Sequence, residues 1–255
     1  MLCSIKELDG LVLAARDGEI GHAREAYFDD ARWVVRHVVA EAGSWLLGRQ
    51  VLISPHAISR IDRAHRKLDV ALTKKQIKDA PGIETDQPVS RQYEIPYYDY
   101  YGYPYYWDGS GLWGAGALPL GGESMLTPRD APLPREATEA MAAAARDADT
   151  HLRSSAEVIG YHVEASDGAI GHIDDFLFDD RSWQIRYAVV DTRNWLRGRL
   201  VLITPASISG IDWNVRRLHV KVSRDAVKAS PPYERTTTLS DDEERRIQRH
   251  YEGWS

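Results

Sequence analysis

Apolar and polar residues alternate along several short stretches of the chain, which is the pattern of β-strands with one buried face. The apolar positions in the stretch 183–189 are Trp183, Ile185, Tyr187 and Val189. Polar Gln184 and Arg186 alternate with them. The stretch 33–39 has the same pattern, with Trp33, Val35, His37 and Val39. We predict a strand over each of these stretches.

The chain repeats itself once, at a constant separation of 150 residues. The segment Asp17-Gly18-Glu19-Ile20-Gly21-His22 recurs as Asp167-Gly168-Ala169-Ile170-Gly171-His172. Between residues 17 and 81, about 28 of the 65 aligned pairs are identical, without a gap. A repeat of this length is a small domain and not a solenoid unit. The recurring residues that we regard as structural are Gly18, Gly21, His22, Asp29, Trp33, Arg36, Trp45, Gly48, Arg49 and Pro55, with Gly168, Gly171, His172, Asp179, Trp183, Arg186, Trp195, Gly198, Arg199 and Pro205.

Turn residues separate short strands within each copy. Asp17-Gly18 predicts a hairpin, Gly48 precedes a Val-Leu-Ile strand, and Pro55 ends that strand. Further strands are predicted at 58–59 and 68–72, and helical turns at 73–79 and 223–228. Five or six short strands in roughly 75 residues predict a small closed or nearly closed β-barrel.

The expected fold is therefore mainly β, with two small barrels in tandem and short helices. The predicted parts are a first barrel over 1–81, a Tyr/Pro/Gly-rich connector over 82–133, a helix over 134–153, a second barrel over 154–231 and a tail over 232–255. Ser240 and Glu243 form a capping-box pattern that predicts a helix in the tail up to about Tyr251. Two similar units also favour a pseudo-twofold arrangement, as in a fused homodimer.

The order of the recurring motifs resembles the PRC-barrel family. The motifs are Asp-Gly-x-Ile-Gly-His, Phe-Asp-Asp, Trp-x-x-Arg and Trp-Leu-x-Gly-Arg-x-Val-Leu-Ile-x-Pro, and each occurs twice. The resemblance covers about 4–81 and 154–231. It extends to the cytoplasmic part of the photosynthetic reaction centre H subunit and to the ribosome maturation factor, and is strongest to bacterial tandem proteins. The family implies barrels that act as docking modules, with no catalytic residues to carry over.

Composition and charge narrow the classes of function. The formal net charge is -6 and the sequence pI about 5.9, which disfavours nucleic acid as the main partner. No apolar run approaches the roughly 18 residues that a transmembrane helix needs. Cys3 is the one cysteine in the sequence, so neither a disulfide framework nor a cysteine metal site is expected. A cytoplasmic protein is the resulting expectation.

The connector is unusually aromatic for a linker. We predict that it packs over the barrels; the alternative is an aromatic surface that binds a partner, because tyrosine and tryptophan are enriched at interfaces. The residues of that candidate surface are Tyr97, Tyr98, Tyr100, Tyr101, Tyr103, Tyr105, Tyr106 and Trp107. A weak echo of Tyr93-Glu94 in Tyr233-Glu234, and of Tyr101 in Tyr251, suggests that the tails belong to the repeat.

The sequence contains only weak patterns of candidate metal-binding or catalytic residues. His22 and His172 lack a metal-ligand spacing, and no metal or other cofactor is expected. The acidic pairs Asp29-Asp30, Asp179-Asp180 and Asp174-Asp175 are expected in turns, where they bond their own backbone. Ser59, His22 and Asp62 have the residue types of a hydrolase triad, but no nucleophile elbow surrounds the serine. We expect no catalytic residues.

The remaining recurring tryptophans and arginines are expected to have structural roles. Trp33, Trp45, Trp183 and Trp195 are expected in the core or at a barrel rim. Arg36 and Arg186 are expected to stack on these rings or to pair with the nearby aspartates. A basic stretch from Arg60 to Lys78 is expected to be solvated, with RNA or an acidic protein as the alternative contact.

The predicted function is a non-enzymatic protein-interaction or scaffolding module. An RNA- or ribosome-linked assembly factor is the first alternative, and an enzyme with a site between the barrels is the second. Partner identity remains undetermined by the sequence, and a homo-oligomer remains open.

Overall fold

The computed structural model describes residues 1–81, 91–115, 118–119, 152–192, 199–235 and 239–253. This part of the chain is mainly β, as predicted. Trp195 and Gly198 lie outside the described residues, and so does the predicted helix up to residue 151. The end of that helix is wrong, because Leu152 and Arg153 form a strand that is hydrogen-bonded to a neighbouring strand.

The two copies share most of their elements at the same separation, and β15 and α3 occur in the second copy alone. The strands of the first copy and of the short segment that precedes it are β1 (Leu2–Ser4), β2 (Val12–Ala15), β3 (Gly18–Asp29), β4 (Val34–Ala42), β5 (Gln50–Ile53), β6 (Ile58–Asp62) and β7 (Lys67–Val70). Those of the second copy are β8 (Leu152–Ser154), β9 (His162–Ala165), β10 (Gly168–Asp179), β11 (Ile185–Asp191), β12 (Leu200–Ile203), β13 (Ile208–Asp212), β14 (Arg217–Val220) and β15 (Pro232–Tyr233). The helices are α1 (Lys74–Asp79), α2 (Arg91–Tyr101), α3 (Ser155–Val158), α4 (Arg224–Ala229) and α5 (Asp241–Glu252).

The described chain forms two compact units that do not follow the continuous boundaries predicted from the sequence. The first unit comprises Glu7–Ser154 and Asp180–Gln184. The second unit comprises Met1–Lys6, Ser155–Asp179 and Ile185–Ser255. Each unit thus contains segments from both halves of the chain.

The short strand that precedes each copy is exchanged. In the second unit β1 pairs antiparallel with β10, with Cys3 opposite Phe178. In the first unit β8 pairs antiparallel with β3, with Arg153 opposite Phe28. The strand before the first copy therefore completes the sheet of the second, and the reverse is also true.

Serine and carboxylate side chains fasten the exchanged strands in equivalent ways. In the second unit the Ser4 hydroxyl donates to Asp175, and in the first unit the Ser154 hydroxyl donates to Glu25. Asp175 also accepts from the backbone amides of Phe176 at 2.7 Å and Lys6 at 3.2 Å. Its burial raises the pKa of the carboxyl group. The predicted turn role of Asp174-Asp175 is wrong, because both lie in β10.

The strand order of the first unit is β5-β4-β3-β2-β7-β6, and that of the second is β12-β11-β10-β9-β14-β13, with β15 added beside β12. The β2–β7 and β9–β14 pairs are parallel, and the other pairs are antiparallel. Among the described residues no pairing joins the end strands of either sheet, so barrel closure stays a prediction. The mainly β content of both units agrees with the sequence prediction.

A bulge in the first long strand explains a recurring glycine. Opposite β2, the register shifts between Leu13 and Ala14, which leaves Ile20 as an extra residue in β3. Gly21 follows it with a φ of 155°. A Cβ here would lie against the carbonyl oxygen of Glu41, well inside van der Waals contact. Only glycine fits this close approach of two backbones.

The predicted starts of β4 and β11 are wrong by one to two residues. Trp33 and Trp183 have φ values of 55° and 59°, so each lies in the turn before its strand and not in the strand itself. Because this left-handed backbone is not extended, the alternation of apolar and polar residues in each strand starts only after the tryptophan. Trp33 stacks on Phe28 with ring centroids 5.7 Å apart.

The helical tails belong to the repeat. α2 and α5 begin at Arg91 and Asp241, again 150 residues apart. Glu94 therefore corresponds to Glu244, and Tyr101 corresponds to Tyr251. The predicted correspondence of Tyr101 with Tyr251 is confirmed. That of Tyr93-Glu94 with Tyr233-Glu234 is wrong, because Tyr233 lies in β15.

Candidate functional site: a groove beside β6

The recurring aspartate at the end of β3 forms a turn and anchors an arginine. One Asp29 carboxylate oxygen accepts from the amides of Ala31 and Arg32, both at 3.0 Å. The other oxygen accepts from the Arg36 guanidinium at 2.8 Å. Both side chains are buried, so this ion pair shares a site with little water.

The rings that cover Arg36 come from the connector and not from the recurring tryptophans. Its guanidinium carbon lies 3.9 Å from the ring centre of Tyr106 and 4.7 Å from that of Trp113. It also donates to the Leu112 carbonyl at 2.7 Å. The expected stacking on Trp33 or Trp45 is therefore replaced by stacking on connector rings. No pattern in the sequence predicts this contact, because Tyr106, Leu112 and Trp113 lie outside the repeat.

A second buried polar cluster joins α2 to the sheet. Glu94 accepts from the Tyr106 hydroxyl at 2.8 Å, and the distance from its carboxylate to His37 Nε2 is 3.2 Å. Nearby, His56 stacks on Tyr103 and meets Trp113 edge-on, at 5.1 and 4.8 Å between ring centroids. Burial is the main reason why the pKa of His56 falls to about 4.

Most of the candidate aromatic surface is packed inside the first unit. The buried members are Tyr97, Tyr98, Tyr101, Tyr103 and Tyr106. Tyr105 and Trp107 are half-buried and stack on each other at 4.7 Å, and Tyr100 is 39% exposed. The structure therefore places most of these rings where we expected packing, and leaves Tyr100, Tyr105 and Trp107 within reach of solvent.

The residue types of a hydrolase triad do not come together. The Ser59 hydroxyl donates to the Asp69 carbonyl at 3.1 Å, and the equivalent Ser209 donates to the His219 carbonyl at the same distance. Asp62 accepts from the backbone amide of His65 at 3.0 Å. These serines hold a hairpin together.

The recurring histidines lie at the sheet surface. His22 is exposed, and His172 Nε2 lies 4.0 Å from an Asp191 carboxylate oxygen. Within the described ranges, no group of three or more histidine, cysteine, aspartate or glutamate side chains could hold a metal ion.

The other recurring residues have structural contacts. The Trp45 indole donates to the Ile20 carbonyl at 2.6 Å, and Arg199 donates to the Lys228 carbonyl at 3.0 Å. Arg49 is exposed. Pro55 and Pro205 each begin a 3₁₀ turn after a strand, as the sequence predicts.

A groove of about 440 Å³ lies beside β6 in the first unit. Its lining combines three large apolar side chains with two arginines and an aspartate. The lining residues are Ile58, Ser59, Arg60, Ile61, Pro119, Asp180, Arg181 and Trp183. Because β6 is the end strand of its sheet, the groove runs along a sheet edge.

The charge of the groove is specific to the first unit. Arg60 extends into solvent and pairs with Asp62 at 2.8 Å. Its equivalent in the second copy is Gly210, and the first-copy equivalent of Arg181 is Ala31. The recurring residues give no indication of this site, because Arg60 and Arg181 do not recur. Positions at which the copies differ in charge are the signal that could have found it.

Comparison with known families supports the resemblance for the second copy. Residues 152–235 match the PRC-barrel domain. The described elements of this domain are β8 to β15 with α3 and α4. A second such domain over 4–81 stays a prediction that rests on the repeat. No curated protein matches the chain.

The described ranges also bear on membrane insertion. None of their helices combines the length and the apolar character needed to cross a membrane.

Proposed function

We propose that this protein is a non-enzymatic interaction module that binds an extended segment of a partner protein in the groove beside β6. The observation that carries the proposal is a groove along an end strand, lined by both apolar side chains and arginines. An end strand can add a peptide as a further strand through main-chain hydrogen bonds, and neighbouring pockets then select its side chains. The PRC-barrel domain at 152–235 supports a docking role over a catalytic one.

The lining defines the chemistry of the partner segment. Ile58, Ile61 and Trp183 favour an apolar side chain. Arg60 and Arg181 bring two guanidinium groups to the lining, so we expect the segment to carry an acidic side chain that competes with Asp62 for Arg60. Arginine suits carboxylates because its planar guanidinium can donate two parallel hydrogen bonds. The proposed partner thus presents an extended segment that contains both an apolar and an acidic residue.

The test uses the full chain and a library of extended peptides. Peptides are selected on the wild-type protein, and their dissociation constants are then measured for Arg60→Gly/Arg181→Ala. These substitutions match residues that the other copy already carries, so they should be compatible with the fold. We expect binding to weaken at least about tenfold, because truncating charged hydrogen-bond donors costs about 1.5–3 kcal/mol.

The matched control is Arg24→Ala/Arg49→Ala, which removes the same charge from exposed positions outside the groove. Binding to this control should equal that of the wild type. Equal affinities for all three proteins would contradict the proposal. So would salt-sensitive association with ribosomal particles that the groove variant leaves unchanged, since that result would favour the RNA-linked alternative. A cytoplasmic location remains part of the proposal.

A further inference from the structure

Equivalent faces of the two units are covered to different extents. In the first unit the face formed by Asp29, Arg36 and Ser54–Ala57 is buried. In the second unit the corresponding residues are Asp179, Arg186 and Thr204–Ser207. Here the side chains of Asp179 and Arg186 are 29% and 36% exposed, and Ala206 is exposed. Within the described residues, the same structural position is therefore covered in the first unit and partly exposed in the second.

The cover of the first unit is an aromatic segment, Tyr103–Trp113. Its rings lie on both Arg36 and His56, and its Leu112 carbonyl accepts from Arg36. The Tyr106 hydroxyl is fixed by Glu94 of α2. The segment thus contacts the arginine through stacking and a hydrogen bond, while the carboxylate that pairs with Arg36 comes from Asp29.

The second unit retains the arginine and the helix carboxylate, with Ala206 in place of His56, and no residue that the structure describes supplies this cover. A guanidinium nitrogen of Arg186 lies 3.8 Å from a carboxylate oxygen of Glu244. Glu244 is the α5 equivalent of Glu94. Among the described residues, no aromatic ring stacks on Arg186. Burial raises the pKa of the neighbouring Tyr187 to about 12, so its ring stays neutral. Arg186, the Glu244 carboxylate and the exposed Ala206 stand at positions whose equivalents the aromatic segment or its Glu94 partner contacts in the first unit.

We infer that the face around Arg186 is a second docking surface, and that it binds a tyrosine- and tryptophan-rich segment of a partner protein. The first unit shows the kind of segment that covers an arginine at this position of the fold. A partner ring stacks on the Arg186 guanidinium, and a partner carbonyl accepts from it. This surface is separate from the groove beside β6, and neither requires the other.

The probe is a synthetic peptide with the sequence of residues 103–115, capped at both ends and labelled for fluorescence anisotropy. It is titrated with the full chain, whose first unit already holds its own copy of this segment. We expect saturable binding that Arg186→Ala weakens at least about tenfold, since stacking and a charged hydrogen bond are both lost. Replacing Tyr106 and Trp113 of the peptide by alanine should weaken binding to a similar extent.

Two control variants separate recognition from loosening of α5. Glu244→Gln removes the ion pair with Arg186 but keeps the guanidinium, and should lower affinity less than Arg186→Ala does. Arg217→Ala removes an exposed arginine elsewhere in the second unit and should leave affinity unchanged. Binding that is unaffected by Arg186→Ala, or no saturation up to about 1 mM peptide, would overturn the inference. The groove variant Arg60→Gly/Arg181→Ala should still bind this peptide, so failure of one proposal is distinguishable from failure of the other.

Discussion

Gly21 and Gly171 occupy the same bulge in the two units, with φ values of 155° and 147°. A Cβ at Gly171 would meet the Asp191 carbonyl oxygen, just as one at Gly21 would meet that of Glu41. The residues recur because two backbones approach closely at this point. Their recurrence is a property of the fold and does not mark a reactive site.

Alanine at Gly21 should therefore be severely destabilising. We expect Gly21→Ala to lower the free energy of unfolding by about 3 kcal/mol or more, because the backbone must shift and a strained φ must be kept. Gly210→Ala is the control, since a Cβ there meets nothing within 4 Å. Its effect should stay within about 0.5 kcal/mol. Urea denaturation measures both, and equal effects would contradict this explanation.

His56 links the stability of the first unit to pH. Its pKa is lowered from 6.5 to about 4 by burial, by the Arg36 guanidinium and by His37. As the pH falls, the unfolded chain takes up a proton near pH 6.5, whereas the folded chain does so only near pH 4. The stabilisation is thus complete above pH 6.5 and is lost progressively between pH 6.5 and pH 4.

His56→Phe isolates this contribution, because phenylalanine keeps a ring against Tyr103 but does not titrate. Between pH 7 and pH 5 the wild type should lose about 2 kcal/mol more unfolding free energy than the variant does. Denaturant titrations at the two pH values give this difference. Parallel losses in the two proteins would show that His56 is not buried in its neutral form.

At the scale of elements, the sequence predicted one tail helix and missed the other. The capping box of Ser240 and Glu243 is present at the start of α5, as predicted. α2 lies within the predicted Tyr/Pro/Gly-rich connector, where the internal Pro96 and the many tyrosines obscure a helical pattern. Its position becomes clear only from tertiary contacts, in which Tyr97 reaches β5 and Tyr101 reaches α1.

Tyr97 fastens α2 to the end of β5. Its buried hydroxyl donates to the Leu52 carbonyl at 3.0 Å and accepts from the Ser54 amide at 3.1 Å. Tyr97→Phe should cost about 1–3 kcal/mol, because two buried backbone groups lose their partner. Tyr100→Phe removes a hydroxyl that donates to the Gln76 carbonyl on the exposed side, and should cost under about 0.5 kcal/mol. Thermal or urea unfolding that ranks the two variants in the reverse order would refute this assignment.

Strands within each copy were predictable, whereas the exchange of β1 and β8 was not. Turn residues such as Asp17 and Pro55 act locally, so they mark hairpins and strand ends in the sequence. Leu2-Cys3-Ser4 and Leu152-Arg153-Ser154 share a pattern that suits either sheet. Which sheet each strand joins depends on tertiary structure and leaves no local signal. The groove beside β6 was missed for a related reason, since it combines β6 with residues 180–183 of the other copy.

At the scale of the whole molecule, duplication and strand exchange produce two similar units with different surfaces. The first unit has the charged groove and the aromatic cover over Arg36. In the second, the described residues leave the face around Arg186 partly exposed. The shared framework accounts for the residues that recur, and the proposed docking surfaces lie where the copies differ. The central structural claim is that each unit is completed by the strand that precedes the other copy.

A pair of disulfide variants tests this claim most directly. Leu2 lies opposite Asp179 in the β1–β10 pair, at a separation between Cα atoms that a disulfide can bridge. If each copy kept its own strand, residue 152 would lie opposite Asp179 instead. In a Cys3→Ala background, Leu2→Cys/Asp179→Cys should form an intrachain disulfide under mild oxidation, as seen by peptide mapping with mass spectrometry. Leu152→Cys/Asp179→Cys should keep free thiols. A disulfide between 152 and 179, with none between 2 and 179, would contradict the exchange.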